Sequence, residues 1–301
     1  MRIAILSRSD RIYSTSRLVE TCRVKGHEPL VLDYRHCYMA IEKGNPQIFY
    51  RSQEVKGVDA VIPRIGASFT FYGTAVVRQF EMQRVFSVNE SQAITRSRDK
   101  LRSLQLLSRA GLSIPKTVFA HEARNADELI DRVGGPPVVV KVVQGTQGKG
   151  VILAETLAVA RSTIEALRGQ NIDILVQQFI QDAQGADIRV LVVGGCMVAA
   201  MRRVGREGEF RSNLHRGGRG EAVQLTDEER QYAVQAAATL GLGVAGVDLI
   251  RSAQGPLVLE VNSSPGLKGI EAASGVNVAS AIVDFAVASA PAADVRDPIG
   301  V

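Results

Sequence analysis

Two apolar strands near the end of the chain, joined by a short turn, constrain the fold most. The stretch VAGVDLIRSAQGPLVLEVN, residues 244–262, alternates apolar and polar residues on both sides of the Ala-Gln-Gly turn at 253–255. A glycine in third place suits a three-residue hairpin loop with a bulge. Pairing Ser252 with Pro256 then sets the register, and the stretch predicts an antiparallel hairpin.

In that register two carboxylates face each other across the hairpin. Asp248 lies opposite Glu260, and Asn262 follows one pair further along the same face. The other face is expected in the core and consists of Val247, Leu249, Leu259 and Val261. Opposed Cβ atoms lie roughly 4.5–5.5 Å apart, so the carboxylates repel unless a cation joins them, and hard oxygen ligands of this kind suit Mg²⁺. A solvated polar face is the alternative, because a slip of one residue moves Asp248 off Glu260.

A second constraint is the stretch PPVVVKVVQGTQGKGVILAE, residues 136–155, which reads as strand, glycine-rich loop and strand. Lys141 interrupts the first strand, and a lysine in so apolar a strand is rarely fully buried without an anionic partner. The glycines of the loop let backbone N–H groups approach a phosphate closely. The loop is not a Walker A motif, because Val151 follows Gly150 and a strand follows instead of a helix. A flexible surface hairpin is the alternative.

A third hairpin is predicted at residues 186–203, around the two-residue turn signal Gly-Gly at 194–195. This turn puts Asp187 opposite Arg202, with Arg189 on the same face. Either a cross-strand salt bridge or a carboxylate that accepts hydrogen bonds from ribose hydroxyls fits this pattern. The polar segment 206–223 that follows predicts a mobile loop. Its lone histidine is more typical of a solvated loop than of a general base.

The first 95 residues or so alternate short apolar runs with helix-like stretches, which predicts an open α/β sheet. No G-x-G-x-x-G follows the first strand, so a dinucleotide-binding fold is disfavoured. From Asp99 an amphipathic helix begins, and it stops at Gly111. A chain of 301 residues is expected to form two or three subdomains.

Composition narrows the class of function. The net charge of +5 fits an anionic ligand such as a nucleotide, or an acidic protein partner, although a mildly basic surface is the simpler explanation. Aromatic residues make up 5% of the chain and tryptophan is absent, so a base-stacking surface for nucleic acid is not expected. The three cysteines have no metal-ligand spacing. We find no signal peptide and no membrane span, and we expect a cytoplasmic protein.

The ordered motifs resemble the RimK family of the ATP-grasp superfamily, glutamate ligases that modify a small-subunit ribosomal protein. The resemblance rests on MRIAILSR, SRDKLRSLQLLSRAGL, VVKVVQGTQGKGV, LVQQFI, FRSNLHRGG, GVDLI and EVNSSPGLKGIE, and covers about residues 1 to 285. It implies an ATP-grasp fold of mixed α/β and α+β type with an N-terminal pre-ATP-grasp open-sheet domain. The expected boundaries are 1–97, 98–175 for the central subdomain, 176–288 for the C-terminal subdomain, and a poorly ordered tail at 289–301.

The resemblance also implies roles for single residues. Lys100 and Lys141 would hold phosphates and Asp187 the ribose. The adenine hinge, acting mostly through backbone groups, would consist of Gln178, Phe179 and Ile180. The family commonly has an acidic residue where this chain has Gln178, a change that backbone contacts tolerate.

For the phosphates and the metal the resemblance implies a further set. The residues that reach the phosphates would be Arg211, Ser212 and Asn213. Those that hold Mg²⁺ or Mn²⁺, with two ions expected, would be Asp248, Glu260 and Asn262. The candidates for stabilising an acyl phosphate are Arg203 and Arg211.

The reaction implied is transfer of the γ-phosphoryl group of ATP to a carboxylate, followed by attack of an amine. The carboxylate would be the C-terminal Glu of a ribosomal protein and the amine L-glutamate, added once or repeatedly. Another ATP-grasp amino-acid or carrier-protein ligase is the nearest alternative, and a nucleotide-binding regulator without turnover is a more distant one. We also expect a homo-oligomer that neither enters a membrane nor reads nucleic acid directly.

Overall fold

The computed structural model describes residues 1–121, 125–142, 150–170, 172–206 and 217–292. Four sheets are formed within these ranges, two of four strands, one of three and one of five. No single helix of the described ranges is long and apolar enough to cross a membrane. One bent pair of helices, 268–274 with 278–289, has the length and composition of a membrane span when the two are taken together.

The N-terminal part is an open sheet whose described pairings are all parallel, as the sequence predicts. Its elements are β1 (Arg2–Leu6), α1 (Tyr13–Val24), β2 (Glu28–Leu32), β6 (Ala60–Pro63), α2 (Thr70–Met82), β7 (Phe86–Ser87) and α3 (Ser91–Arg98). A small antiparallel sheet, which the sequence did not predict, is inserted after β2. It consists of β3 (Cys37–Ala40), β4 (Gln47–Tyr50) and β5 (Gln53–Glu54).

The central part is an antiparallel sheet with its own apolar core. Its elements are α4 (Lys100–Arg109), β8 (Thr117–Ala120), α5 (Ala126–Arg132), β9 (Val138–Val142), β10 (Val151–Ala154), α6 (Leu157–Arg168) and β11 (Ile174–Gln178). The Asp99 side chain caps α4 by accepting from the Arg102 N–H at 2.9 Å. The boundary expected between 175 and 176 falls inside β11, which pairs with β8 and β9 along its length.

The C-terminal part is a five-stranded antiparallel sheet covered by helices. Its elements are β12 (Ala186–Val193), β13 (Cys196–Val204), β14 (Arg219–Ala222), α7 (Asp227–Leu240), β15 (Val244–Ser252), β16 (Gly255–Asn262), α8 (Lys268–Ser274) and α9 (Val278–Ser289). Within the segment expected as a mobile loop, 219–222 form the edge strand β14. In the expected tail, residues 290–292 form a 3₁₀ turn and 293–301 lie outside the described residues. The three-part division of the chain stays a proposal.

The register predicted for the last hairpin is confirmed at the pair of acids, but the predicted turn length is wrong. Asp248 lies opposite Glu260, but the turn has two residues, because Ser252 pairs with Gly255. A bulge between Asp248 and Leu249 restores the offset that a three-residue loop would have given. The core-facing residue opposite Leu249 is therefore Val258, which is fully buried, and not Leu259.

The register predicted for the 186–203 hairpin is wrong by one residue. Its two-residue turn is confirmed, since Val193 pairs with Cys196, but a bulge between Leu191 and Val192 shifts the pairing beyond it. Asp187 consequently lies opposite Arg203 and not opposite Arg202. A bulge adds a residue to one strand and so moves every later side chain to the other face.

The N-terminal and C-terminal parts share one apolar core. Side chains of β1 and α1, such as Ile5 and Leu18, pack in the same cluster as Leu191 of β12 and Ile282 of α9. Asn89 joins the two parts through three hydrogen bonds to the backbone of Val244 and Ser263, at 2.7–2.9 Å. The start of the C-terminal hairpin is therefore held directly against the N-terminal sheet.

Candidate active site

The expected metal ligands lie together at the open ends of β15 and β16. Asp248 is 4% exposed, whereas Glu260 across from it is exposed. Asn262 pairs with Gly246 and is half-buried. A Cβ on Gly246 would lie 2.7 Å from the Pro265 Cβ, so a glycine at this position lets the loop after Asn262 fold back over the hairpin.

Asp248 is held by two arginines. Arg189, opposite Asp248 on β12, donates from Nε to Oδ1 and from Nη2 to Oδ2, both at 2.6 Å. The Arg203 Nη2 approaches the same Oδ2 at 2.8 Å. Burial by itself would raise the pKa of Asp248, but the charges of Arg189 and Arg203 outweigh it and hold the pKa below its usual value. The carboxylate is therefore ionised and fixed in position.

Asp187 is held by Arg203, which joins both acids into one network. The Arg203 Nε and Nη2 donate to the two oxygens of Asp187 at 2.6 Å each. Arg203 is 5% exposed, and although burial lowers its pKa, the charges of Asp248 and Asp187 raise it well above the ordinary value. The cross-strand salt bridge that the sequence offered as one interpretation of Asp187 is present, with Arg203 as the partner.

The two expected phosphate lysines both lie within electrostatic range of Glu260. The Lys141 Nζ donates to Gln177 Oε1 at 2.6 Å, and the Lys100 Nζ donates to the Val142 carbonyl at 3.2 Å. Burial lowers the pKa of Lys141 to about 8, with Glu260 opposing the shift and Lys100 adding to it. Burial also lowers the pKa of Lys100, against the charge of Glu260. An anion bound at this site would raise the pKa of both lysines toward its ordinary value.

The expected adenine hinge lies where β11 leaves the central sheet. Gln178 pairs with Val138, and its N–H donates to the Lys116 carbonyl at 2.8 Å. Ile180 is 8% exposed and begins the connection to β12. The sequence analysis did not single out the neighbouring Gln177. Its Nε2 donates to Thr117 Oγ1 at 2.8 Å, which holds its Oε1 toward the Lys141 Nζ.

Sequence reasoning missed two site arginines, Arg64 and Arg98, and did not predict that Arg189 pairs with Asp248. Arg64 follows β6, and its Nη2 donates to the Pro265 carbonyl at 2.6 Å. Arg98 ends α3, and its Nη2 donates to the Ile65 carbonyl at 2.9 Å. A basic residue directly after a buried parallel strand could have drawn attention to Arg64, because ligands collect at the carboxyl ends of such strands. No comparable signal marks Arg98.

Part of the expected site lies outside the described residues. This applies to the phosphate contacts Arg211, Ser212 and Asn213, and to residues 143–149 of the glycine-rich loop. The base of that loop is described: the Val142 N–H donates to the Gly150 carbonyl at 2.9 Å, and Lys141 pairs with Val151. The strand, loop and strand arrangement predicted for residues 136–155 is thus closed at its base.

The donor set is compatible with magnesium. Among the described residues, no three His, Cys, Asp or Glu side chains form a metal cluster, so an ion would depend on two carboxylates, an amide and ligands from outside the protein. Asp248 Oδ1 accepts one hydrogen bond, from Arg189, and keeps a second lone pair. Within the described ranges the Glu260 carboxylate has no hydrogen-bond partner. Mg²⁺ commonly combines one or two carboxylates with waters and substrate phosphates, and this set fits that pattern.

Solved structures identify the fold of the chain. The ATP-grasp ligase PsnB with its minimal precursor, Mg and ADP matches 96% of this chain and 98% of its own, with a TM-score of 0.75 and 23% identity. The D-alanine–D-alanine ligase from Bacillus anthracis, complexed with ATP, has a TM-score of 0.69 at 19% identity and covers 97% and 98% of the two chains. At these identities the likeness shows the fold, which is the ATP-grasp fold of ATP-dependent ligases.

Sequence comparisons identify the family within that class. The RimK-like ATP-grasp domain matches residues 97–286, and the RimK PreATP-grasp domain matches residues 1–94. A probable alpha-L-glutamate ligase of Vibrio cholerae is 59% identical over 285 residues, 95% of each chain, and one of Aliivibrio fischeri is 60% identical over the same span. The chain belongs to the RimK family of ATP-grasp ligases. The family, fold and enzyme class expected from the motifs are confirmed.

Proposed function

We propose that this ligase joins L-glutamate to the C-terminal Glu of a small-subunit ribosomal protein, using ATP, and that it can repeat the addition. The observation that carries the proposal is the meeting of three parts of the chain around Glu260. Lys100 and Lys141 come from the central part, Arg98 from the N-terminal part and Asp248 from the C-terminal hairpin. This combination of carboxylates and cationic side chains suits a reaction between a phosphate and a carboxylic acid.

The nucleotide is proposed to lie between the central and C-terminal sheets. Lys100 and Lys141 would neutralise its phosphates, and the backbone of Gln178, Phe179 and Ile180 would hold the adenine. Arg211, Ser212 and Asn213 are also proposed to reach the phosphates. Asp187 is proposed to bind the ribose, beside the bonds that Arg203 donates to both of its oxygens.

A divalent cation is proposed at Asp248, Glu260 and Asn262, where it would neutralise charge on the phosphates. Mg²⁺ and Mn²⁺ both fit these oxygen ligands, and two ions are proposed by family resemblance. Arg189 and Arg203 keep Asp248 ionised and oriented for this task.

In the proposed reaction the acceptor carboxylate attacks the γ-phosphorus of ATP. The bond to the β-γ bridging oxygen breaks, ADP leaves and an acyl phosphate forms. The amine of glutamate then attacks the carbonyl carbon, phosphate departs with the bonding pair, and the amine loses a proton to solvent. The protein contributes positioning and neutralisation of charge, and little covalent chemistry.

Two arginines were assigned to the acyl phosphate from the sequence. Arg211 keeps that proposed role. The burial of Arg203 and its bonds to two carboxylates favour a positioning role, in which it holds Asp248 and Asp187 in register. Replacing Arg203 by lysine should then raise the Mg²⁺ concentration needed for half-maximal activity more than it raises the KM for glutamate. An increase confined to the KM for glutamate would contradict the positioning role.

Intact-mass analysis tests the proposed function. The ribosomal protein would be incubated with enzyme, ATP, Mg²⁺ and glutamate, and mass increments of one or several glutamyl residues are expected. Glu260→Ala should give no increment, whereas Glu128→Ala, a change of the same kind at an exposed helical site, should behave as wild type. ADP release with glutamate but no mass shift would contradict the acceptor and favour another ATP-grasp amino-acid ligase. Tight ATP binding without turnover on any amino acid would favour the regulator.

Cytoplasmic location and a homo-oligomeric state are also proposed. The first is supported by the expected acceptor, a ribosomal protein, and the second by family resemblance. Light scattering of the purified chain measures the second directly, and a mass equal to one chain of 32.4 kDa would contradict it.

A further inference from the structure

Arg64 and Arg98 bring two guanidinium groups together beside the proposed metal strand. Arg64 leaves the end of β6 and Arg98 ends α3, so the N-terminal part supplies both. Each donates from Nη2 to a backbone carbonyl, Arg64 to Pro265 and Arg98 to Ile65. These single bonds fix the direction of each side chain and leave most of its five N–H donors for other partners.

Both arginines are half-buried cations. Neither forms an ion pair with any described residue, and the Arg98 Nε is buried without a hydrogen-bond partner. Burial, and then the charge of Arg98, lowers the pKa of Arg64 to about 10, which places the two groups within electrostatic range of each other. Like charges held together in a partly buried place are unfavourable unless an anion joins them.

Their position identifies the kind of anion. The Pro265 carbonyl that Arg64 binds lies three residues after Asn262, and Arg98 is within electrostatic range of Glu260. The arginines therefore approach Glu260 from the N-terminal part, while Lys100 and Lys141 approach it from the central sheet. With lysines already assigned to the phosphates, a second anion is needed on the arginine side.

We propose that Arg64 and Arg98 bind a carboxylate of the incoming amino acid. This rests on the proposed function, in which a free dicarboxylic amino acid presents its amine to the acyl phosphate. A guanidinium has the planar, two-pronged geometry that matches a carboxylate, whereas a lysine acts as a point charge. The N–H donors of the pair that bond to no described residue would orient the amino acid with its amine toward the Glu260 side.

Steady-state kinetics of Arg64→Gln and Arg98→Gln test this assignment. Each variant should raise the KM for glutamate by roughly 10- to 100-fold, the range expected for a lost charged hydrogen bond, and leave the KM for ATP within about twofold. Arg98→Lys should recover part of the loss. Arg23→Gln removes the same charge at an exposed position on α1 and should leave both constants unchanged. Binding of ADP and Mg²⁺, measured by calorimetry, checks that each variant is folded.

Two amides of glutamate sharpen the test. Wild type should discriminate against L-glutamine or against L-isoglutamine, depending on which carboxylate the arginines hold, and the Arg98→Gln variant should lose that discrimination. An unchanged KM for glutamate in both variants, or a loss confined to ATP, would overturn the proposal. Failure of the proposed function itself would be seen separately, as a wild-type enzyme that releases no ADP with glutamate.

Discussion

Two groups of charged side chains meet around Glu260, and they differ in whether their charges are neutralised. In the paired network, Arg189 and Arg203 are bound by the carboxylates of Asp248 and Asp187 at 2.6–2.8 Å. The second group, here called the site cations, is Arg64, Arg98 and Lys141, none of which forms an ion pair within the described part of the chain. The first group has its counter-ions built in, and the second does not.

The pKa values follow this difference. In the paired network the opposite charges hold the pKa of Asp248 low and that of Arg203 high. Among the site cations burial dominates, and it lowers the pKa of Lys141 to about 8 and that of Arg64 to about 10. Strongly shifted groups with no built-in partner are typical of places that bind a ligand. The paired network therefore organises the sheet, and the site cations are available to anionic substrates.

The largest expected effect is the loss of activity in Glu260→Ala. This change removes an acid within electrostatic range of Arg98, Lys100 and Lys141, and glutamate-dependent ADP release should fall by more than about 100-fold. Lys141→Ala should have a comparable effect. The measurement is coupled-enzyme detection of ADP, with Glu128→Ala as the matched control. Near-normal turnover in a folded Glu260→Ala variant would remove Glu260 from the site.

A loss of stability is expected next, in Asp248→Asn. It leaves Arg189 and Arg203 without one of their counter-ions, and breaking a buried pair in this way costs about 3–5 kcal/mol of unfolding free energy. Urea denaturation measures this, and Asp227→Asn, at a fully exposed acid, is the control. If both variants unfold at the same urea concentration, the paired network does not stabilise the sheet.

The stability of Asp248→Asn should also depend on pH differently from that of wild type. The pKa of Asp248 is lowered on folding, so its contribution to stability is present above the ordinary aspartate pKa and is lost as the pH falls through that value toward the folded one. Wild type should therefore lose stability in acid more steeply than Asp248→Asn does. Parallel acid limbs in the two proteins would be inconsistent with an ionised, paired Asp248.

A smaller effect is expected from the titration of Lys141. Because its pKa in the free protein is about 8, the affinity for Mg-ATP should fall as the pH rises through 8, by at most about tenfold per pH unit. Lys141→Arg keeps its charge and should flatten this dependence. The measurement is calorimetric titration with an ATP analogue between pH 7 and 9.5. An equally steep decline in Lys141→Arg would assign the titration to another group.

The smallest effect is predicted far from the site, at the start of α7. The Thr226 hydroxyl accepts from the Glu229 N–H at 3.1 Å, and Glu229 bonds back to the Thr226 N–H at 2.9 Å. Thr226→Ala should cost about 1 kcal/mol of stability and leave ADP release unchanged. A fall in activity beyond the change in folded fraction would show that the C-terminal sheet does not isolate the site from α7.

Sequence reasoning predicted single members of both groups, such as Asp248 and Lys141, but not how the paired network is joined. Asp248 was correctly placed opposite Glu260 because the bulge after Asp248 offsets the error of one residue in the predicted turn length. The exact partner of Asp187 could not be predicted, since the bulge at Leu191 leaves no pattern in so uniformly apolar a strand. The small sheet β3-β4-β5 was missed because apolar and polar residues do not alternate strongly along its strands. Arg98 and Gln177 gain meaning only from long-range packing, which a single sequence does not display.

The central claim is that the site cations bind an anionic ligand and do not stabilise the free protein. The most direct test is to unfold Lys141→Gln in urea at pH 7, with and without ADP and Mg²⁺. The folded pKa of Lys141 lies below its ordinary value, so at pH 7 its charge opposes folding, and glutamine can still donate to Gln177. The free variant should be as stable as wild type or more so, and the stabilisation by ADP and Mg²⁺ should be largely lost. A free variant less stable than wild type that nucleotide still stabilises fully would contradict this view.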